Sequence, residues 1–321
     1  MIVTYPPATK SHADLLNFRR LLRDAIILAV DFEATPFFGF GPGARFSVAT
    51  EMGIASLDMR EIRKDISKVT PEDIAQKIEA RHYLVRPYDY WDTRERESHR
   101  PKRNYKARLN SMFCRSEVVN SDEEMMEKAK HVIEALRAGK PSKAVSRAPP
   151  KPPSHGYTIT KEVKKEEKKT AGNSSVGQLV DQVVPSGVSE PKTTRDVVVL
   201  FWDSKLEESI LDVSRHNPFN EEGEFVLWDL QRWLPIQQRY GREQCRCSQF
   251  VEGVGLEDMT DFLHNAANDS WAVLMGFMQV LRLGKDDFEA FIEGGEWAKS
   301  LEFTWLDPNI QWDNRQIDGV V

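Results

Sequence analysis

Apolar and polar positions in this chain recur with two periods, and the switches between them mark out the elements. HADLLNFRRLL (12–22) spaces its apolar residues at helical intervals and predicts an amphipathic helix. The unbroken run Ala25 to Val30 continues into Asp31-Phe32-Glu33 and reads as a buried first strand, 25–34. ATEMGIASLDM (49–59) alternates and predicts a second strand. Between them FFGFGPGAR lacks the strand, turn and helix context of a nucleotide-binding loop, so it reads as a hairpin connection. TPEDIAQKIEA (70–80) opens with Thr, Pro and an acidic residue and predicts a helix, with RHYLVRP as the third strand. SDEEMMEKAKHVIEALRAG predicts a helix capped by Ser121 and stopped by Gly139. DVVVLFWD (196–203) and EFVLWDL (224–230) are further strands around the helix SKLEESILDV. HNAANDSWAVLMGFMQVLRLG (264–284) holds a long helix with an apolar face, and DDFEAFIEGGEWAKSLEF predicts the last one.

Residues 139–195 break both periods. They are rich in Pro, Ser, Gly and Lys, with Tyr157 as the single aromatic, and cannot bury enough apolar surface to offset the entropy of ordering. This predicts a disordered insertion. Residues 1–138 and 196–283 each supply too few strands for a sheet, so together they predict one α/β domain. Residues 284–321 then form a C-terminal helix and an acidic tail carrying Trp297, Trp305 and Trp312.

Charge changes the picture more than composition does. The net charge of −6 divides into +2 over residues 1–138, +6 over 139–195 and −14 over 196–321, so any nucleic-acid contact needs a local basic patch. No apolar run approaches the ~20 residues of a membrane span. Three cysteines, Cys114, Cys245 and Cys247, are too few for a disulfide framework, which predicts an intracellular protein, nuclear or cytoplasmic. The Cys-Arg-Cys spacing at 245–247 is too short for a usual zinc knuckle.

The chemistry centres on carboxylates. Alternate residues of a strand share a face, so Asp31 and Glu33 point the same way from the end of a buried strand. Two such charges are costly side by side unless protons or metal ions neutralise them. LHNAANDSW (263–271) adds a third carboxylate. A helix starting near Asn265 carries Asp269 one turn in, with His264 at its mouth. Carboxylates and a mobile imidazole suit water activation by metal-dependent hydrolysis, although His264 and Asn265 also fit plain helix capping.

Asp-x-Glu at the end of the first strand, followed by His-x4-Asp at the last long helix, resembles the DEDDh-type 3′-5′ exonucleases of the RNase H-like superfamily. DFEA, TEMGIASLD, LHNAANDS and WDLQ resemble in particular the fungal Gfd-type exonuclease-like proteins, over roughly 25–138 and 196–283. The resemblance implies a mixed five-stranded sheet, with its second strand antiparallel, flanked by helices. It implies hydrolysis of RNA or single-stranded DNA from the 3′ end with two Mg²⁺ or Mn²⁺ ions. Asp31, Glu33 and Asp269 would ligate the metals and His264 would act as the general base. The middle motif departs from the family: VVLFWDSKLEES places Glu207 where a ligand Asp is expected, with Asp203 one turn earlier. Glu207 is thus either the fourth ligand or an ordinary helix residue, and Phe201 and Trp202 could narrow the site.

A basic loop at 94–110 offers Arg100, Lys102, Arg103, Tyr105 and Lys106 for phosphate contact and base stacking, or is a solvated loop. His82 and His131 read as structural or exposed. Asp229 reads as a residue supporting the site or as the cap of the LQRWL helix. The insertion and the acidic tail are candidate protein-binding segments. An alternative to the exonuclease is a catalytically reduced nucleic-acid-binding or protein-interaction module on the same fold.

Overall fold

The computed structural model describes residues 3–4, 6–38, 45–62, 65–86, 111–139, 195–220, 225–241 and 245–295. The expected insertion (bar its end residues Gly139 and Arg195), the basic loop with Arg100, Lys102, Arg103, Tyr105 and Lys106, and the tail tryptophans lie outside these residues. Among the described residues no helix is long and apolar enough to cross a membrane.

Among the described residues six strands form one sheet: β1 (Ile26–Phe38), β2 (Arg45–Asp58), β3 (Glu79–Val85), β4 (Ser116–Val119), β5 (Val197–Phe201) and β6 (Phe225–Asp229). Their order is β4-β3-β2-β1-β5-β6. β2 runs antiparallel to both neighbours, and the other pairings are parallel. This is the mixed α/β arrangement expected, with one strand more than the five predicted. The addition is β4, whose four residues SEVV are too few to show a period in the sequence. β5 pairs directly with β1, so residues on both sides of 140–194 build the same sheet. Arg195 Nη2 strengthens the junction, donating at 2.6 Å to Asp58 Oδ1 at the end of β2.

Helices cover both faces: α1 (His12–Leu22), α2 (Pro71–Ala75), α3 (Asp122–Arg137), α4 (Lys205–Val213), α5 (Leu234–Tyr240), α6 (Cys247–Gly253), α7 (Ala266–Arg282) and α8 (Lys285–Ile292). Strand parity decides which side chains meet which layer. Ile27 and Ala29 of β1 join one core with Phe18 of α1, Phe250 of α6 and the buried length of α7. Ile26, Leu28, Val30 and Phe32 join the other, with Met125 and Ile133 of α3 and Ile210 of α4. Burying each such large side chain contributes roughly 1.5–3 kcal/mol. Asp31 and Glu33 have the parity of Ala29, so the strand directs them to the α7 face.

α7 is buried nearly all round rather than along one face, because the sheet lies beneath it and α6 packs beside it. Its close seat on the sheet depends on Gly53: a Cβ there would lie 2.0 Å from the Ala266 carbonyl oxygen. Other boundaries shift from expectation. The helix predicted over 70–80 stops at Ala75, because Glu79 and Ala80 pair with Ser56 and Ala55 of β2. The last helix stops at Ile292, before Gly294 at φ 82°. After β6 a 3-10 turn at Leu230–Arg232 replaces the LQRWL helix, and α5 and α6 follow without having been predicted.

Candidate metal centre

Asp31, Glu33 and Asp269 converge. One ligand atom from each lies within 4.8 Å of the others, and all three residues keep partial contact with solvent. β1 supplies the first two by parity, and Asp31 faces Gly53 across the β1–β2 ladder. A β-bulge interrupts that ladder between Glu33 and Ala34, where Thr50 Oγ1 donates to the Glu33 carbonyl at 3.1 Å. Bulges bend and re-aim a strand locally, which here falls at the carboxylate itself.

The third carboxylate arrives with the first turn of α7. Asn265 is the N-cap, and its side-chain oxygen accepts from the Asn268 amide at 3.1 Å. Asn268, fully buried, accepts from the Met112 amide at 2.9 Å and the Ser111 hydroxyl at 3.1 Å, and donates to the Phe262 carbonyl at 2.9 Å. His264 is exposed and takes the left-handed conformation, φ 73°. Its backbone N–H donates to both Asp269 oxygens at 3.1 Å, so the turn that leaves the imidazole at the helix mouth also orients the carboxylate.

Electrostatics shows what this crowding costs. Burial pushes the Asp31 carboxyl well above its ordinary range, and the charges of Asp269, Glu207, Glu33 and Glu51 push it further. The Cys247 thiol rises for the same reasons, burial first and then Asp269 and Asp31. Such a crowding of negative charge around Asp31 is short of positive charge, which a divalent cation would supply. Oxygen donors alone suit Mg²⁺ or Mn²⁺. The donor set therefore fits a hard divalent ion, while the number of ions has no geometric counterpart among the described residues.

Glu207 stands apart. α4, which carries it, packs Leu206, Ile210 and Leu211 into the core on the opposite face. Glu207 acts on Asp31 through its charge but lies outside the three-residue group. It is 3% exposed, and its Oε2 has no hydrogen-bond partner. Burial pushes its carboxyl up to about 8, with Asp203 and Asp229 adding to the rise and its own and the Phe32 amides opposing it. Glu207 is thus a deep acid, not a solvated helix residue.

Asp203 precedes α4 in the left-handed conformation, φ 54°. Asp229 is buried and pairs with Arg232 Nε at 2.9 Å. Its side chain makes no cap hydrogen bond to the turn that follows. Phe201 points into the core against Phe219 and does not narrow the site. Trp202 stacks on Phe250 at 4.7 Å and walls a cavity of about 680 Å³ with Asp203, Gln231, Tyr240, Cys247 and Gln249. His131 is exposed, as expected. Sequence reasoning passed over Glu51, Asn268 and Gly53, and weighed Cys247 only as part of a zinc knuckle. For Glu51 and Gly53 the period-2 pattern held a usable signal, since both share the parity of the Asp31 and Glu33 partners. The chain matches no protein-family model and no curated protein.

Proposed function

We propose that this protein is a metal-dependent 3′-5′ exonuclease-like hydrolase of RNA or single-stranded DNA. The convergence of Asp31, Glu33 and Asp269 within 4.8 Å, from a strand ending at Phe38 and a helix starting at Ala266, is the observation that carries this reading. Asp31, Glu33 and Asp269 would hold one or two Mg²⁺ or Mn²⁺ ions, which supply charge to offset a phosphodiester and acidify water. His264, exposed beside Asp269, takes the proton from the attacking water. Arg100, Lys102, Arg103, Tyr105 and Lys106 would guide the strand's phosphates and stack a base.

Glu207 favours a second reading. A buried carboxyl that holds its proton tightly and lies outside the three-residue group is a weak fourth ligand, which suits a catalytically reduced nucleic-acid-binding module. Protein partners for the insertion and the acidic tail belong to that reading too.

Degradation of 5′-labelled single-stranded RNA and DNA with Mn²⁺ separates them. The hydrolase gives a ladder shortening from the 3′ end, reduced about 10²- to 10⁴-fold in His264→Ala. Strand binding without a ladder, unchanged by chelation, selects the binding module and overturns the hydrolase.

A further inference from the structure

A line of buried polar groups crosses three strands and ends on the helix that carries Asp269. Ser116 Oγ on β4 lies 2.7 Å from His82 Nδ1 on β3, and His82 Nε2 lies 2.7 Å from Glu51 Oε1 on β2. The same Glu51 oxygen accepts the Ala266 N–H at 2.7 Å. His82, Ser116 and Glu51 are 1%, 4% and 8% exposed. Nε2 faces a carboxylate and so must carry a proton, leaving the Ser116 hydroxyl to complete Nδ1.

The end point matters. Ala266 is the first residue of α7, and its amide is one of the donors a helix leaves unpaired at its start. A carboxylate there satisfies the amide and complements the helix dipole. Glu51 also sits directly opposite Glu33 in the β1–β2 register, so released from His82 it could turn towards the acidic group. The imidazole keeps it on the helix instead.

We infer that His82 and Ser116 are positioning residues for the cation site, an inference that rests on the metal-dependent reading above. Through Glu51 they fix the first turn of α7, and with it Asp269 and His264 relative to Asp31 and Glu33. Groups that orient ligands without touching the metal commonly control its affinity by 10- to 100-fold.

The test is Mn²⁺ titration calorimetry on the full chain at low temperature, paired with hydrogen exchange of the amides 266–269. The variants are His82→Leu, His82→Gln, Ser116→Ala, Glu51→Gln and Asp31→Asn, beside Phe219→Leu as a destabilised control in the opposite core. His82→Leu is expected to weaken Mn²⁺ binding by about tenfold or more, and His82→Gln, which keeps a donor for Glu51, to restore it to within about threefold. Exchange in His82→Leu should rise at 266–269 beyond the rise elsewhere, while Phe219→Leu shows neither effect. Equal losses in His82→Leu and Phe219→Leu overturn the inference. So does a loss in Glu51→Gln as large as in Asp31→Asn, since Glu51 would then be a ligand. If the wild type binds no Mn²⁺, the metal-dependent reading fails. The exchange data then decide the anchoring alone: a rise confined to 266–269 supports it, and a uniform rise overturns it. Should His82→Leu not fold, Ser116→Ala leaves the ring in place and carries the same comparison.

Discussion

Two groups of acids lie close together in this fold and solve the same electrostatic problem in opposite ways. Asp31, Glu33 and Asp269 keep contact with solvent, and backbone groups hold Asp269 in place. Glu207 and Asp229 are almost fully buried, and each has an oxygen with no hydrogen-bond partner. The first group is built so that a cation can reach it. In the second, Arg232 offsets Asp229 and a proton offsets Glu207. Like charges in a poorly solvated place need one of these solutions, and access decides which.

The sharpest way to break the contrast is to remove one acid of the open group. Asp31→Asn or Asp269→Asn should cut Mn²⁺-dependent strand degradation by about a thousandfold, some 4 kcal/mol, in a gel assay of initial rates. If degradation persists, the group is not the catalytic centre.

Next in size is the seat of α7. Gly53→Ala places a methyl against the Ala266 carbonyl and should cost about 3 kcal/mol in urea denaturation. Because the same contact brings Asp269 to Asp31, Mn²⁺ affinity should fall with it.

The closed group has a signature in pH. Glu207 has its folded pKa raised to about 8 from the ordinary 4.5. The folded state therefore holds the proton more tightly, and the stability this gives is present in full below about pH 4.5 and lost as pH rises through 8. Between pH 5 and 8 metal-free protein should lose roughly 3 to 4 kcal/mol through this group, seen as a falling Tm. Glu207→Gln, which imitates the neutral acid, should flatten that slope while sparing Mn²⁺ affinity. An unchanged slope would mean that Glu207 titrates normally. A large loss of affinity would make it a ligand and merge the two groups.

The smallest effect isolates the bulge. Thr50→Ala removes the hydroxyl that bonds the Glu33 carbonyl and should cost about 1 kcal/mol in the same denaturation experiment. An accompanying fall in Mn²⁺ affinity would show that the bulge sets the direction of Glu33.

The chain by itself determined the elements with strong local periods. β1, α1, α3 and α7 follow directly from apolar spacing and from caps such as Ser121 and Asn265. It also determined that Asp31 and Glu33 share a face and that His264 stands at the mouth of the helix bearing Asp269, because parity and helical rise are local properties. Tertiary structure alone decided the rest. Four residues of β4 show no period of their own and are extended because β3 pairs with them. Glu207 has helical spacing like any surface acid, and only the face on which α4 docks sets it deep and apart from Asp269. Glu51 and His82 lie six and three residues into β2 and β3, and only the β2–β3–β4 ladder lines them up with Ala266. Distances between side chains from different strands and helices depend on packing, and no single segment carries that information.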